Sequence, residues 1–127
     1  MKKTLLIAAA LACSGMVKAE IYSCTSTYGA AIDNDSLVRD GLPTRTWIAD
    51  TRRGLRVSGE NIAASDYSGN CDVIARIENA STTICTKSDL SIFRVIKIEK
   101  RTTGEITFKA SNLDIFNFSY TGFCTEI

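Results

Sequence analysis

The sequence predicts an all-β fold, a small antiparallel β-barrel or sandwich of about seven to eight strands. Three observations lead there: short runs in which apolar and polar residues alternate, many β-branched and aromatic residues beside a single proline, and glycines at turn-like positions between the runs. The alternation carries most weight. A strand buried on one face needs an apolar residue at every second position, and a helix does not.

In chain order, the first segment is "MKKTLLIAAALACSGMVKAE". Two lysines, an apolar run from Leu5 to Ala12 and the triplet Val17-Lys18-Ala19 form the pattern of a secretory leader. A cut after Ala19 makes residues 1–19 the signal peptide and residues 20–127 a single secreted β domain. The apolar run is shorter than the roughly 20 residues that a transmembrane helix needs, and no later segment is longer, so no transmembrane segment is expected. A second processing route is written into "ALACS", which resembles a bacterial lipoprotein box: a cut before Cys13 would leave a lipid anchor on that cysteine and an outer-membrane lipoprotein. Lys3 beside the apolar run and the small-residue triplet favour the cut after Ala19.

"DNDSLVRDGLP" is the one helix candidate, a single turn capped by Asp35 or Ser36 and stopped by Gly41 and Pro43. "TRTWIADT" and "LRVSG" flank "RRG" and read as a hairpin. "CDVIARIE" places Val73, Ala75 and Ile77 on one face. "SIFRVIKIEK" runs through the glycine turn "RTTGE" into "EITFKAS", where Ile106, Phe108 and Ala110 alternate with polar residues, so residues 92–111 read as a second hairpin. Further on, Leu113 and Ile115 share one parity and Phe116, Phe118 and Tyr120 the other, which places a bulge near Ile115 or Phe116.

Cleavage at either position leaves Cys24, Cys71, Cys85 and Cys124 for pairing. Four cysteines in an exported chain read as two disulfides. A metal site is disfavoured by the absence of histidine and of any CxxC pair, and no metal or other cofactor is expected. In a nearly closed sheet the first and last strands are neighbours, so Cys24 with Cys124 would tie both ends of the domain. Closing a loop of about 100 residues is worth roughly 4.7 kcal/mol on the chain-entropy model. Cys71 would then pair with Cys85. With a turn on Asn79 and Ala80, however, Cys85 falls about three residues out of register, beyond a disulfide's reach. A turn nearer Glu78 or an irregular connection would bring the two together, and the other pairings remain formally open.

The lack of histidine also removes the usual general base and every Ser-His or Cys-His nucleophile. No catalytic motif frames any serine, and "SGEN" and "SGN" are turn chemistry. Asp50, Asp66, Asp72 and Glu78 are the stock from which a carboxylate-dependent hydrolase would be built, and they fall at turns or on polar strand faces. The leader takes Lys2, Lys3 and Lys18, so 12 of the 15 basic residues remain against 14 acidic ones. Such a balance gives no electrostatic reason to bind nucleic acid or a membrane surface. The candidate binding surface is Trp47 with Arg52, Arg53 and Arg56 around the "RRG" turn, where guanidinium groups could grip an acidic partner. Arg53 is expected to point opposite to Arg52 and Arg56. Tyr22, Tyr28 and Tyr67 fit either surface or core. The glycosylation triplets at Asn34, Asn79 and Asn117 read as turn and strand residues.

A leader, "YSC" at the mature start and a cysteine close to the end together resemble the small periplasmic β-barrel lysozyme inhibitors of Gram-negative bacteria. That family's serine-glycine motif is matched by Ser58 and Gly59 alone, and its lysine-bearing loop has no counterpart in "SGENIAASDYSGN", so no residue roles carry over. These readings imply a non-enzymatic periplasmic or secreted protein that binds another exported protein, of inhibitor or immunity type. The alternatives are a cell-envelope hydrolase and a structural envelope component.

Overall fold

The computed structural model describes residues 20–59, 65–89, 92–114 and 117–127. The expected leader, residues 1–19, lies outside them. Nine strands follow one another: β1 (Ile21–Asp33), β2 (Ser36–Asp40), β3 (Arg45–Asp50), β4 (Gly54–Gly59), β5 (Asn70–Ile77), β6 (Ala80–Asp89), β7 (Ile92–Lys100), β8 (Ile106–Leu113) and β9 (Asn117–Glu126). All pair antiparallel in one sheet of order β4-β3-β1-β9-β8-β7-β6-β5, with β2 attached to β1 beside that path. The sheet curls into a half-barrel. Its two edges are bridged by the segment before β5, where Leu55 and Ser68 exchange backbone hydrogen bonds of 2.9 and 3.2 Å. Gly69 makes this seam possible: its φ is +82°, and a Cβ there would fall on the Thr86 carbonyl oxygen.

Alternation delivers the core. Tyr22 and Cys24 of β1, Trp47 and Ala49 of β3, Leu55 and Val57 of β4, Ile96 and Ile98 of β7, and Phe108 and Ala110 of β8 all face inward and are buried. Trp47 sits at the centre, its ring centroid 5.3 Å from Phe108 and 5.0 Å from Tyr120. Both expected hairpins form, as β3–β4 and β7–β8. The terminal strands are neighbours, and Cys24 and Cys124 are register partners joined by a disulfide.

Cys71 and Cys85 are also joined, and the register explains how. The β5–β6 turn falls on Glu78 and Asn79, one residue earlier than the sequence suggested, which shifts the pairing by two; a bulge between Val73 and Ala75 supplies the third. Glu78 takes the left-handed conformation that this tight turn demands, with φ 54°. β5 itself is mostly solvated: Ile74 and Ile77 are 58% and 73% exposed, so the alternation in "CDVIARIE" does not mark a buried face.

The helical turn is not found. Asn34 and Asp35 have φ of 47° and 62°, as a two-residue hairpin requires, and Asp33 pairs with Ser36 to start β2. The polar residues that looked like an N-cap instead reverse the chain, because the long β1 offers β2 a ready partner. The bulge expected at Ile115 or Phe116 lies outside the described residues. Among the described residues Leu113 of β8 pairs with Asn117 of β9.

Candidate functional site

The inward positions are mostly apolar through the middle of the half-barrel, Thr83 apart, and turn basic at one end. Following parity outward, β3 passes from Trp47 to Arg45, β7 from Ile96 to Arg94, β8 from Ala110 to Asn112 and β6 from Cys85 to Lys87. Register places Lys87 opposite Arg94, Arg94 opposite Asn112, and Asn112 opposite Phe118, a row across four adjacent strands. The result is a mouth with a cleft of about 370 Å³. Arg39, Arg45, Arg94, Asn112, Asp114 and Tyr120 line it together with Leu42, Pro43, Ile92 and Phe118.

Three arginines and one aspartate are the charged residues among the described lining of this cleft. Burial and the nearby charge of Arg94 lower the pKa of Arg45, opposed by Tyr120, and the Arg45 guanidinium lies 5.0 Å from the Tyr120 ring centroid. Tyr120 is buried, which raises its phenol pKa against the pull of Arg45, Arg39 and Arg94. Three guanidinium groups thus act on one ring. Asp114 is the one carboxylate among the described lining residues. Asn112 is only 3% exposed, and its buried Oδ1 has no hydrogen-bond partner among the described residues.

Two features support the strands around the cleft. Gly29 lets Tyr120 and Leu42 close in, since a Cβ there would sit 2.7 Å from Tyr120 Cδ1 and 3.1 Å from Leu42 Cβ. The Leu42 amide donates to the Gly29 carbonyl at 2.9 Å, fixing the chain as it leaves β2. Lys87, 3% exposed, donates to the Asp66 carbonyl at 2.6 Å and to Ser68 Oγ at 2.7 Å. It thereby holds the seam segment against β6.

Of the residues singled out from sequence, the structure brings Arg53 and Arg56 together at Tyr67 and keeps Trp47 apart from them. Trp47 has no exposed surface and belongs to the core, because its position shares parity with Ala49 and not with the solvated face. Arg52 and Arg53 lie in the turn beyond the far end of β3 from Arg45, and Arg56 is on β4 opposite Ile48. Arg53 Nε donates to Asp50 Oδ2 at 2.8 Å, and its guanidinium lies 4.1 Å from the Tyr67 centroid, with that of Arg56 at 5.9 Å. Arg53 and Arg56 therefore share a side. Strand parity does not reach Arg53, since β4 begins only at Gly54. The Arg52 and Arg53 amides also donate to Asp50 Oδ1. Burial opposes ionisation of Asp50, but these bonds outweigh it and lower its pKa. Asp66, Asp72 and Glu78 are exposed on the seam, on β5 and in the β5–β6 turn.

Sequence reasoning missed Arg39, Arg45, Lys87, Arg94, Asn112 and Tyr120 as a group. A signal was present: "TRTWIAD", "CTKSD" and "IFRVIKI" each carry a cation at a position sharing parity with buried residues, where a solvated face does not account for it.

No protein-family model, curated protein or solved structure matches the chain. The class defined by the fold and the cleft is a disulfide-stapled antiparallel half-barrel with one basic mouth. Its two disulfides indicate an oxidising, extracytoplasmic environment. Among the described residues no helix is long and apolar enough to cross a membrane.

Proposed function

We propose that the chain is a periplasmic or secreted binding module that captures another exported protein through the mouth, in the manner of an inhibitor or immunity protein. The observation that carries this reading is the partly buried cleft in which Arg39 and Arg45 lie with Tyr120 beside an apolar lining. Burial opposes the charge of Arg45, and a ligand carboxylate in the cleft offsets that cost. A guanidinium offers a planar fork that matches a carboxylate, and low surrounding dielectric strengthens the match. The disulfide-stapled sheet holds the forks in place before the partner arrives, so little ordering entropy is lost on binding.

The test is a paired capture from envelope extract, with the oxidised protein and its Arg45→Gln, Arg94→Gln double variant as baits. A specific protein retained by the first, released by about 0.5 M salt and absent from the second is the expected result. Identical captures by both baits would remove the mouth from the function.

A further inference from the structure

We infer that the outer face of the sheet, apart from the mouth, carries a second binding site whose ligand is an acidic oligosaccharide.

Strands β7, β8 and β9 lie inside the sheet order and pair on both sides, so their backbone groups are already used and a ligand on their outer face meets side chains alone. Two rows of outward positions cross these strands. In one, Lys97 pairs with Lys109 and Lys109 with Thr121; in the other, Glu99 pairs with Thr107 and Thr107 with Phe123. These six residues line one cavity of about 230 Å³.

Lysines directly opposite one another repel, and an anion set between them relieves that cost. Glu99 meets Lys97 at 3.4 Å, with both side chains about half exposed. A contact of that kind contributes little and engages one of the three ammonium donors. Lys109 is exposed and makes no ion pair with a carboxylate of the described residues. A carboxylate brought by a ligand therefore finds donors on two adjacent strands.

The other half of the cavity selects the class of ligand. Phe123 is 56% exposed, because its register neighbours Thr25 and Thr107 are too small to cover its ring. The negative face of that ring attracts the C–H face of a pyranose. Thr107 and Thr121 carry hydroxyls that both donate and accept, as sugar hydroxyls do. The diagonal from Phe123 to Lys109 is about 7–8 Å between strand positions, which a sugar ring and its own carboxylate span. An acidic peptide gains less here, having no strand edge to pair with, and a small inorganic anion leaves Phe123 uncovered. Glu99 is shared with a second cavity of about 410 Å³, where Thr82, Arg101 and Thr102 lie beside Ile77. A chain of acidic sugars thus continues from Lys109 past Glu99, which accepts from hydroxyls, to Arg101.

The oxidised protein is titrated calorimetrically with tetragalacturonate and with three controls. The methyl ester of the tetramer keeps the sugar chain and removes the charge, tetraglutamate keeps the charge and removes the sugar, and galacturonate supplies one sugar alone. Tetragalacturonate is expected to saturate, and each control should bind at least about tenfold more weakly. Lys109→Gln and Phe123→Thr should each weaken tetragalacturonate by a similar factor with far-ultraviolet circular dichroism unchanged, whereas Arg45→Gln at the mouth should leave its affinity as it is. Equal affinity for any of the three controls, indifference to Lys109→Gln or to Phe123→Thr, or no saturable binding of tetragalacturonate overturns the inference. Weakening by Arg45→Gln and not by Lys109→Gln would move the binding to the mouth and overturns it as well.

Discussion

The two ends of the half-barrel place their described cations in different surroundings. At the end near Ile21 and Glu126, Arg76 pairs with Glu20, which also accepts from the Tyr22 hydroxyl, and Lys100 Nζ meets Glu126 Oε1 at 2.8 Å. Thr51 and Glu20 tie the backbone there with bonds of 3.0 and 3.1 Å. At the mouth, Arg39, Arg45 and Arg94 share one cleft, and Asp114 is the one carboxylate among its described lining residues. Charges answered within the chain by carboxylates add stability, whereas a guanidinium set over an aromatic ring in an open cleft, as Arg45 is over Tyr120, can still meet a partner's carboxylate. The first end is therefore read as the clamp of the fold and the second as its working surface.

The two disulfides divide along the same line and offer the largest way to break the comparison. Cys24–Cys124 closes a span of 100 residues at the clamped end. Cys71–Cys85 closes 14 and steadies the strands that carry the seam and Lys87. On the chain-entropy model the first is worth about 4.7 kcal/mol and the second about 3 kcal/mol. Urea unfolding of the two Cys→Ser pair variants should rank them in that order. The reverse order would mean that the seam, and not the terminal pair, governs cooperativity of the sheet.

How much of this was legible in the sequence follows from what alternation can and cannot encode. The β7–β8 hairpin was plain because "EITFKAS" buries every second residue, and the terminal disulfide followed from closing the sheet on itself. The β1–β2 hairpin was not, because an Asn-Asp pair serves equally as a helix cap or as a left-handed turn, and only the tertiary partner decides. The Cys71–Cys85 pair follows from the sequence only by way of a shifted turn or an irregular connection, because a bulge is a one-residue event with no compositional mark in "CDVIARIE". The mouth escaped for a different reason: a search for apolar residues at alternate positions passes over Arg45, Lys87 and Arg94, although their parity assigns them to the interior. Arg52, Arg53 and Arg56 drew attention by being adjacent in sequence, while their partners Asp50 and Tyr67 lie on both sides of them in the chain.

A smaller and sharper test replaces one arginine at each end by methionine, which keeps the apolar stem and removes the charge. Arg76→Met breaks a pair whose carboxylate is largely buried, with the Glu20 side chain 12% exposed, and should cost about 1 kcal/mol. For a domain of this size that lowers Tm by roughly 4–8 °C. Arg45→Met removes a charge that is partly desolvated and lies near a like charge. Its effect should stay within about 0.5 kcal/mol or be stabilising, with partner binding lost. Equal destabilisation by both substitutions would show that Arg45 is paired as firmly as Arg76 and would dissolve the distinction between the ends.

The smallest effect is the dependence on acid, and its sign follows from the clamped end alone. Burial raises the pKa of Glu20, but hydrogen bonds from Arg76 and Tyr22 and the charge of Arg76 outweigh it, so the folded value falls below the ordinary 4.5. Asp50, at the same end through its pairing with Ile21, is likewise held below 3.8. A carboxyl whose pKa is lower folded than unfolded contributes stability that is complete above the unfolded value and is lost as pH falls through the folded one. Tm should therefore be level between about pH 5 and 7 and decline as pH drops below about 4.5. The Glu20→Gln, Asp50→Asn double variant should start lower at neutral pH and flatten that decline, whereas Arg45→Gln should leave its shape unchanged. An acid decline that persists in full in the double variant would place the titrating groups elsewhere, and charge pairing would no longer distinguish the end that holds the fold from the end that binds.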